Sequence, residues 1–401
     1  MVTVGQHVYN SLILLAYNYF AANVPQPKET DVHPDEGLTI RDQIHSHGYS
    51  FEEHEVQTQD GYLLTLFRLS SGKPKEASRK GAPVLIIHGF LSSAHDFILM
   101  GPNISMAYSL VNNGYDVWLG NCRGNTWSRK HVKYHPDEPR FWKFSLHEIG
   151  YYDLPAKLDY VTNTTGYESV YYMGHSQGTT TMFIMASERP EYIKKVRLFV
   201  ALAPVAYPKG MPSIIASVGA TFYKQIEWMF YTFEYIEVFP HGKTLADMFR
   251  LVCRDGPYRD LFHSIFYTNT GYSNDTNPRL FPLIVGSFPA GASSRQLLHY
   301  LQNKRSDSFR NYDHGPMMNM QIYGQWQPPK YNLRTKIPTA LIYSVNDWLS
   351  TEDDVQRISA DLKNIKLMYK LPGSYSHMDF LYGRDTNKII LGIVEKLFSE
   401  N

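Results

Sequence analysis

The sequence predicts an α/β protein with a mostly parallel sheet of eight strands and helices on both faces. Six short, almost wholly apolar runs recur along the 401 residues, and a sheet that is buried on both faces needs strands of this kind. Helical patterns lie between the runs, and this alternation is typical of a doubly wound sheet. The chain length favours one large domain with a sizeable insertion.

The predicted strands begin with a hairpin, in which 52–69 forms two strands joined by a turn at Asp60-Gly61. Six further strands are predicted over 84–87, 115–119, 170–173, 196–202, 339–343 and 365–371. Helices are predicted over 106–112, 149–161, 179–188 and 386–399.

The alternation of strand and helix breaks between residues 207 and 302. Eight aromatic residues lie within 222–239 of this stretch. We interpret 207–302, called here the lid segment, as a mainly helical cap inserted between two core strands, with additional core helices as the alternative. The core then consists of residues 23–206 and 303–401.

Residues 1–22 resemble a signal peptide with a cleavage site near Ala22, because a mostly apolar stretch is followed by small residues and a polar segment. The alternative is an ordinary N-terminal helix. No run of 18 apolar residues exists, so we expect no transmembrane span. In a secreted chain, Asn103, Asn163 and Asn274 would be N-glycosylation acceptors, since each begins an N-x-S/T sequon.

Charge and cysteine content exclude several classes of protein. The formal net charge is +1 without a long basic block, which argues against a nucleic-acid partner. The two cysteines, Cys122 and Cys253, form no C-x-x-C motif, so we predict no metal site and two free thiols, with one bridge between them as the alternative.

The pentapeptide Gly174-His175-Ser176-Gln177-Gly178 lies between a predicted strand and a predicted helix. This is the context of a nucleophile elbow, a sharp turn that exposes the serine hydroxyl. Gly174 and Gly178 would allow the two backbones to approach closely. The pentapeptide alone is weak evidence, so the partners of Ser176 have to decide between an elbow and an ordinary loop.

A nucleophilic serine needs a base and a group that orients the base. In this fold they follow the serine in the order acid, histidine, on loops after late strands. Asp347 follows the strand 339–343 and His377 follows the strand 365–371, so we predict that they are the acid and the base. The weaker acid candidates look like the start of the next helix, and they are Glu352, Asp353 and Asp354.

The developing oxyanion also needs backbone N–H donors. One should follow the nucleophile and the other should follow the third strand, so we assign the donors to Gln177 and Phe90. A structural role is predicted for His88 and His175, because neither fits the chain order for the base.

Taken together, these motifs resemble the acid lipases, the gastric, lingual and lysosomal lipases of the α/β-hydrolase superfamily. The likeness extends from about Asp31 to Lys396. The matching stretches are Thr58-Gln59-Asp60-Gly61-Tyr62, His88-Gly89-Phe90-Leu91-Ser92-Ser93, 120–128, 174–178, Pro289-Ala290-Gly291, Asn346-Asp347-Trp348 and His377-Met378-Asp379-Phe380.

The resemblance implies the α/β-hydrolase fold with a lid, no metal or organic cofactor, and triacylglycerol or cholesteryl ester substrates. It implies the same triad of Ser176, Asp347 and His377, and an extracellular or lysosomal location. Two positions depart from the family pattern, which has a serine at Cys122 and, in mammalian members, a lid cysteine pair of which only Cys253 is matched.

The leading hypothesis is therefore a serine ester hydrolase that cleaves neutral lipid esters through an acyl-enzyme. Its partner would be a lipid ester or a lipid–water interface, and no protein partner is evident. One alternative is an esterase for short soluble esters, which the same residues would serve. A catalytically silent lipid-binding protein is the other, although every expected catalytic position is filled.

Overall fold

The computed structural model describes residues 4–24, 32–71, 81–254 and 257–401, without the side chains of residues 4–6 and 257. Its strands are β1 (Tyr49–Gln57), β2 (Tyr62–Ser71), β3 (Pro83–Ile87), β4 (Asp116–Gly120), β5 (Lys130–His131), β6 (Val170–His175), β7 (Val196–Leu202), β8 (Glu237–Val238), β9 (Ala292–Ser293), β10 (Thr339–Tyr343) and β11 (Ile365–Lys370).

The main sheet has the strand order β1-β2-β4-β3-β6-β7-β10-β11, and β5 pairs with β2 outside this path. Strand β2 is antiparallel to β1 and β4, whereas the pairs from β4 to β11 are parallel. This confirms the predicted fold class and the predicted hairpin. The two-residue β5 was not predicted, because so short a strand carries no periodic signal.

Both faces of the central sheet are buried, which explains why β3, β4, β6 and β10 are mostly apolar, whereas the outer strands β1 and β11 are partly exposed and carry charged residues. Val84 and Ile86 of β3 pack into one hydrophobic cluster, and Leu85 and Ile87 pack into a second cluster on the opposite face. Successive side chains of a strand point to opposite faces, so a strand covered on both sides has no position for a polar residue.

The helices that cover the sheet agree with the predicted pattern. The α-helices of the described residues are Val4–Asn23, Ile40–Ser46, Met106–Asn112, Leu146–Glu148, Leu154–Thr165, Gln177–Glu188, Ile214–Thr221, Tyr223–Thr232, Lys243–Val252, Pro257–Thr270, Phe281–Val285, Ser294–Ser306, Pro316–Tyr323, Glu352–Asp361, Asp379–Tyr382 and Arg384–Glu400. The predicted helix 149–161 begins with a π-helical turn, Ile149–Asp153, and continues as Leu154–Thr165.

The lid segment lies between β7 and β10 and is mainly helical, with β8 and β9 forming a separate antiparallel pair. Its predicted end at residue 302 falls within the helix Ser294–Ser306. Several of its large apolar side chains face solvent, namely Ile214, Ile215, Val218, Phe222, Trp228, Met229, Tyr231 and Phe233. Apolar residues in the central strands β3, β4, β6 and β10 are buried, so the two regions differ in how they use such residues.

The N-terminal helix Val4–Asn23 covers most of the predicted signal peptide. It packs on the lid segment through the ring pairs Tyr9–Tyr235 and Phe20–Tyr258. Within the described residues, none of the helices is both long and apolar enough to span a membrane. Removal of residues 1–22 stays a prediction.

Candidate active site

Ser176 lies in a sharp turn between β6 and the helix Gln177–Glu188. Its φ of 53° and ψ of −114° place a non-glycine residue in a strained conformation. A Cβ on Gly174 would lie 2.7 Å from the carbonyl of Gly178, and a Cβ on Gly178 would lie 2.3 Å from the Ile87 carbonyl oxygen. Both positions therefore require glycine, and the predicted succession of strand, turn and helix is confirmed.

Asp347 and His377 are brought together by the loops that follow β10 and β11. The His377 Nδ1 lies 2.9 Å and 2.8 Å from the two carboxylate oxygens of Asp347, and both residues are buried. The backbone N–H groups of Leu349 and Ser350 donate to Asp347 Oδ1 at 2.8 Å and 2.7 Å. The carboxylate thus holds the imidazole with Nδ1–H toward the acid, which leaves Nε2 as an acceptor.

The pair lies beside the turn that carries Ser176. The ring of His175 contacts the ring of His377 at 4.7 Å between centroids, and its Nε2 lies 3.1 Å from the His377 carbonyl oxygen. The Ser176 N–H donates to the Leu202 carbonyl at the end of β7. Within the described chain, no hydrogen bond joins the Ser176 hydroxyl to the His377 ring. The acid and base are therefore connected, and the nucleophile candidate lies next to them.

The loop after β3 passes directly beside Ser176. A Cβ on Gly89 would lie 3.2 Å from the Ser176 Cβ, so the residue directly before Phe90 packs closely against the turn of Ser176. Gln177 is the first residue of its helix, where N–H groups lack intrahelical acceptors. Among the described residues, neither the Phe90 nor the Gln177 N–H has a protein acceptor. These two donors can face an anion, which a helix N-terminus also favours.

His88 and His175 make contacts that hold the backbone around the turn. The Cys122 N–H donates to His88 Nε2 at 3.0 Å, so His88 Nδ1 carries the hydrogen that reaches the Gly89 carbonyl at 2.8 Å. Burial lowers the pKa of His88 to about 4. Burial also lowers the pKa of His175 well below its usual range, with the adjacent His377 as a second cause. Both rings are therefore neutral near pH 7.

The weaker acid candidates lie in the first turn of the helix Glu352–Asp361, as the sequence predicted. Glu352 forms an ion pair with Lys370 at 3.0 Å. Asp354 accepts a hydrogen bond from the Thr351 hydroxyl at 2.8 Å. These contacts belong to the helix start and to β11, whereas His377 is bonded to Asp347.

Sequence reasoning missed the side chain that joins the lid segment to this site. The Gln296 Nε2 donates to the Gln177 Oε1 at 3.1 Å, and the Ser293 N–H donates to the Gln296 Oε1 at 2.9 Å. Ser293 and Gln296 form a capping box at the start of the helix Ser294–Ser306. The Ser-x-x-Gln spacing could have predicted the helix start, but the contact with Gln177 has no local signal.

The lid segment also covers the loop that follows β3. Phe90 and Leu91 pack against the apolar cluster of the lid segment, and the rings of Phe90 and Tyr300 lie 5.7 Å apart. The Ala290 N–H donates to the Leu91 carbonyl at 2.6 Å. Apolar surface therefore lies directly beside the Phe90 N–H.

Both cysteines are buried and unpaired. Burial raises the pKa of Cys122 to about 11 and that of Cys253 to about 12, so both stay protonated thiols near pH 7. No group of three or more His, Cys, Asp or Glu side chains within the described ranges is arranged to hold a metal ion. The side chains of the three sequon asparagines are exposed, and these are Asn103, Asn163 and Asn274.

Comparison with protein families agrees with this architecture. Residues 82–383 match the family described as alpha/beta hydrolase fold, and residues 40–101 match a partial alpha/beta-hydrolase lipase region. The chain belongs to the α/β-hydrolase family and, within it, to the lipases, a group of carboxylic ester hydrolases.

The individual relatives cover most of the chain. It is 38% identical over 371 residues to Lipase 1 of Drosophila melanogaster, covering 90% of this chain and 79% of the relative. Human lipase member K is 36% identical, covering 89% of this chain and 90% of the relative, and human gastric triacylglycerol lipase is 34% identical, covering 92% of each. A crystal structure from Sulfolobus solfataricus shares the fold with a TM-score of 0.60 at 15% identity, covering 92% of this chain and 98% of that one.

Proposed function

We propose that this chain hydrolyses neutral lipid esters through an acyl-enzyme, with Ser176 as nucleophile, His377 as base and Asp347 as the acid that orients the base. The observation that supports this most is the buried hydrogen-bonded pair of Asp347 and His377 beside the strained turn of Ser176. Such a pair makes a serine hydroxyl a useful nucleophile near neutral pH.

In the first half of the reaction, the Ser176 Oγ attacks the ester carbonyl carbon and its proton passes to the His377 Nε2. Asp347 stabilises the charged imidazole that forms. The tetrahedral intermediate then collapses, the bond to the alcohol oxygen breaks, and this oxygen takes the proton from His377. The alcohol leaves and the acyl group stays on Ser176.

In the second half, water attacks the acyl carbonyl while His377 accepts its proton. The bond to Ser176 Oγ breaks, the serine regains the proton, and a fatty acid leaves. The Phe90 and Gln177 N–H groups stabilise the negative carbonyl oxygen in both halves. Each donor contributes about 3 kcal/mol to lowering the barrier.

The substrate proposal rests on the lid segment and on the relatives. Exposed Ile215 and Trp228 provide an apolar surface that a lipid interface would cover. The apolar cluster that contacts Phe90 would offer apolar neighbours to an acyl chain beside the reacting carbon. The name of human gastric triacylglycerol lipase specifies a triacylglycerol substrate. We extend that substrate class, together with cholesteryl esters, to this chain.

The same proposal includes the domain division and the location of the protein. Residues 23–206 and 303–401 would form the catalytic core, and residues 207–302 would form its lid. Residues 1–22 would direct the chain into the secretory pathway, toward secretion or the lysosome. Glycans would then attach at Asn103, Asn163 and Asn274, which are exposed.

The test compares the parent with Ser176→Ala and His377→Ala on emulsified trioctanoylglycerol, emulsified cholesteryl oleate and soluble 4-nitrophenyl butyrate. We expect both variants to lose activity on every substrate by about 10⁴-fold or more, with unchanged circular dichroism. Parental activity in Ser176→Ala would overturn the proposal.

Rates measured on the parent protein also distinguish the remaining hypotheses. A rate that rises above the solubility limit of the ester supports a lipase, whereas a rate that falls steadily with acyl length supports the short-ester esterase. Failure of a phosphonate to label Ser176 in the native protein would favour the silent lipid-binding protein.

A further inference from the structure

The chain that leaves the helix Pro257–Thr270 lies between the two catalytic loops. We call residues 270–276 the return segment. The Thr270 carbonyl accepts the N–H of His377 at 2.9 Å and the N–H of Trp348 at 3.5 Å. Trp348 follows Asp347 directly, so one carbonyl oxygen of the lid segment contacts the backbone of both the acid loop and the histidine loop.

A second link reaches the residue that precedes His377. Asp379 is fully buried, and its carboxylate accepts the Ser376 N–H at 2.6 Å. The other oxygen of Asp379 accepts the Thr276 hydroxyl at 2.8 Å. Consecutive backbone N–H groups, those of Ser376 and His377, are therefore held by Asp379 and by Thr270. Both hydrogen bonds involve the return segment, because Thr270 belongs to it and Asp379 is bonded to Thr276 of the same segment.

The return segment also packs closely on the acid loop. Gly271 has a φ of +96°, and a Cβ there would lie 1.9 Å from the Asn346 carbonyl oxygen. The Asn346 side-chain amide donates to the Tyr272 carbonyl. This contact leaves no room for a side chain at Gly271. A shift of the return segment would therefore displace the loop of Asp347 and the loop of His377 together.

We propose that the return segment sets the position of His377 relative to Ser176, with Thr276 and Asp379 as positioning residues. This proposal rests on the proposed role of His377 as the base. A base that is displaced by a fraction of an ångström transfers the proton less efficiently, whereas binding of the ester is little affected. The return segment is part of the lid segment, so the lid segment would affect the chemical step through it.

The test uses Thr276→Val, which removes the hydroxyl but keeps the shape, and Thr276→Ser, which keeps the hydroxyl. We expect kcat on soluble 4-nitrophenyl butyrate to fall about tenfold in Thr276→Val, with KM within about twofold of the parent. Thr276→Ser should restore kcat to within about twofold. Because Thr276→Val also destroys a sequon, Asn274→Gln is the control for loss of a glycan.

The matched structural control is Asp275→Asn in the same segment. Its carboxylate accepts the N–H groups of Asp385 and Thr386 at 3.0 Å and 2.9 Å, which caps the helix Arg384–Glu400 and not the histidine loop. Asp275→Asn should lower the melting temperature and leave kcat unchanged. An equal loss of kcat in Asp275→Asn, or parental kcat in folded Thr276→Val, would overturn the positioning role.

Two further measurements keep the test decisive. Should Thr276→Val not fold, Thr276→Ala removes the same hydroxyl and carries the same expectation. His377→Ala reports on the proposed function separately. An active His377→Ala variant would contradict both the proposed function and the positioning role. An inactive His377→Ala variant together with a fully active Thr276→Val variant would contradict only the positioning role.

Discussion

The carboxyl edge of the sheet and the outer surface of the lid segment use their side chains in opposite ways. At the sheet edge, Asp347 and His377 are 1% and 2% exposed and are hydrogen-bonded to each other. On the lid segment, Ile215 and Trp228 are 62% and 65% exposed. The first region hides polar groups, and the second displays apolar ones.

The contrast follows from what covers each region. The return segment bonds to the loops that carry Asp347 and His377, and these side chains are buried, so their polar atoms need fixed partners. In the lid segment, the helices Ile214–Thr221 and Tyr223–Thr232 keep most of their side chains in contact with solvent. Fixed geometry suits bond-making chemistry, and accessible apolar surface suits recognition of a lipid.

The largest expected effect comes from the buried pair. Asp347→Asn keeps an oxygen for the N–H groups of Leu349 and Ser350 but offers an amide to His377 Nδ1, which favours the wrong tautomer. We expect kcat to fall about 10⁴-fold, or about 5 kcal/mol in the barrier. The exposed Asp353→Asn is the matched control, and steady-state kinetics that show equal effects would contradict the assignment.

The next effect tests the tight packing at the turn. A Cβ on Gly178 would lie 2.3 Å from the Ile87 carbonyl oxygen, whereas a Cβ on Gly392 meets nothing within 4 Å. We expect Gly178→Ala to lower the free energy of unfolding by about 3 kcal/mol or more. Gly392→Ala, in the middle of a helix, should raise it by about 0.5–1 kcal/mol. Denaturant titration measures both, and similar values for the two variants would refute the close approach.

A third prediction concerns pH and the buried ring of His88. Its pKa of about 4 lies below the usual 6.5, so the unfolded chain binds more protons between these values. The stability contributed by neutral His88 is therefore complete above pH 6.5 and is lost as the pH falls toward 4. Relative to His88→Asn, the parent should lose up to about 3 kcal/mol across this window. A stability difference that does not vary with pH would contradict the burial of His88.

The smallest expected effect belongs to the lid surface. In the double variant Ile215→Ser/Trp228→Ser, activity on emulsified trioctanoylglycerol should fall about tenfold, which corresponds to about 1.4 kcal/mol of interfacial binding. Activity on the soluble ester and the melting temperature should stay close to parental values. Tyr167→Ser, an exposed change before the amino end of β6, is the control. Equal losses on both substrates would show that these residues support folding and not the interface.

Sequence reasoning was strongest where burial and local turns control the structure. The strands 196–202 and 339–343 were predicted with the bounds of β7 and β10, because strands covered on both faces leave a mostly apolar run. The loop position of Asp347 followed from the end of the run 339–343, and that of His377 followed from the end of the run 365–371. The short β5, β8 and β9 were missed, since two residues show no period.

The sequence did not predict contacts between segments that are far apart in the chain. Gln296 meets Gln177 across 119 residues, and Thr276 meets Asp379 across 103 residues. The motifs that contain these residues describe local features and do not indicate the distant partner, which is defined only after the lid segment folds back on the core. The contacts that Gln296 and Thr276 make with the site were therefore missed.

By itself, the amino-acid order determined the kind of sheet, the glycine-flanked turn and the succession of serine, aspartate and histidine, since each depends on near neighbours and on simple burial. Only the tertiary structure determined which residues of the lid segment face solvent and which contact the loop of His377. Such choices depend on packing between segments that are far apart in the chain, and packing of that kind leaves no trace in local sequence.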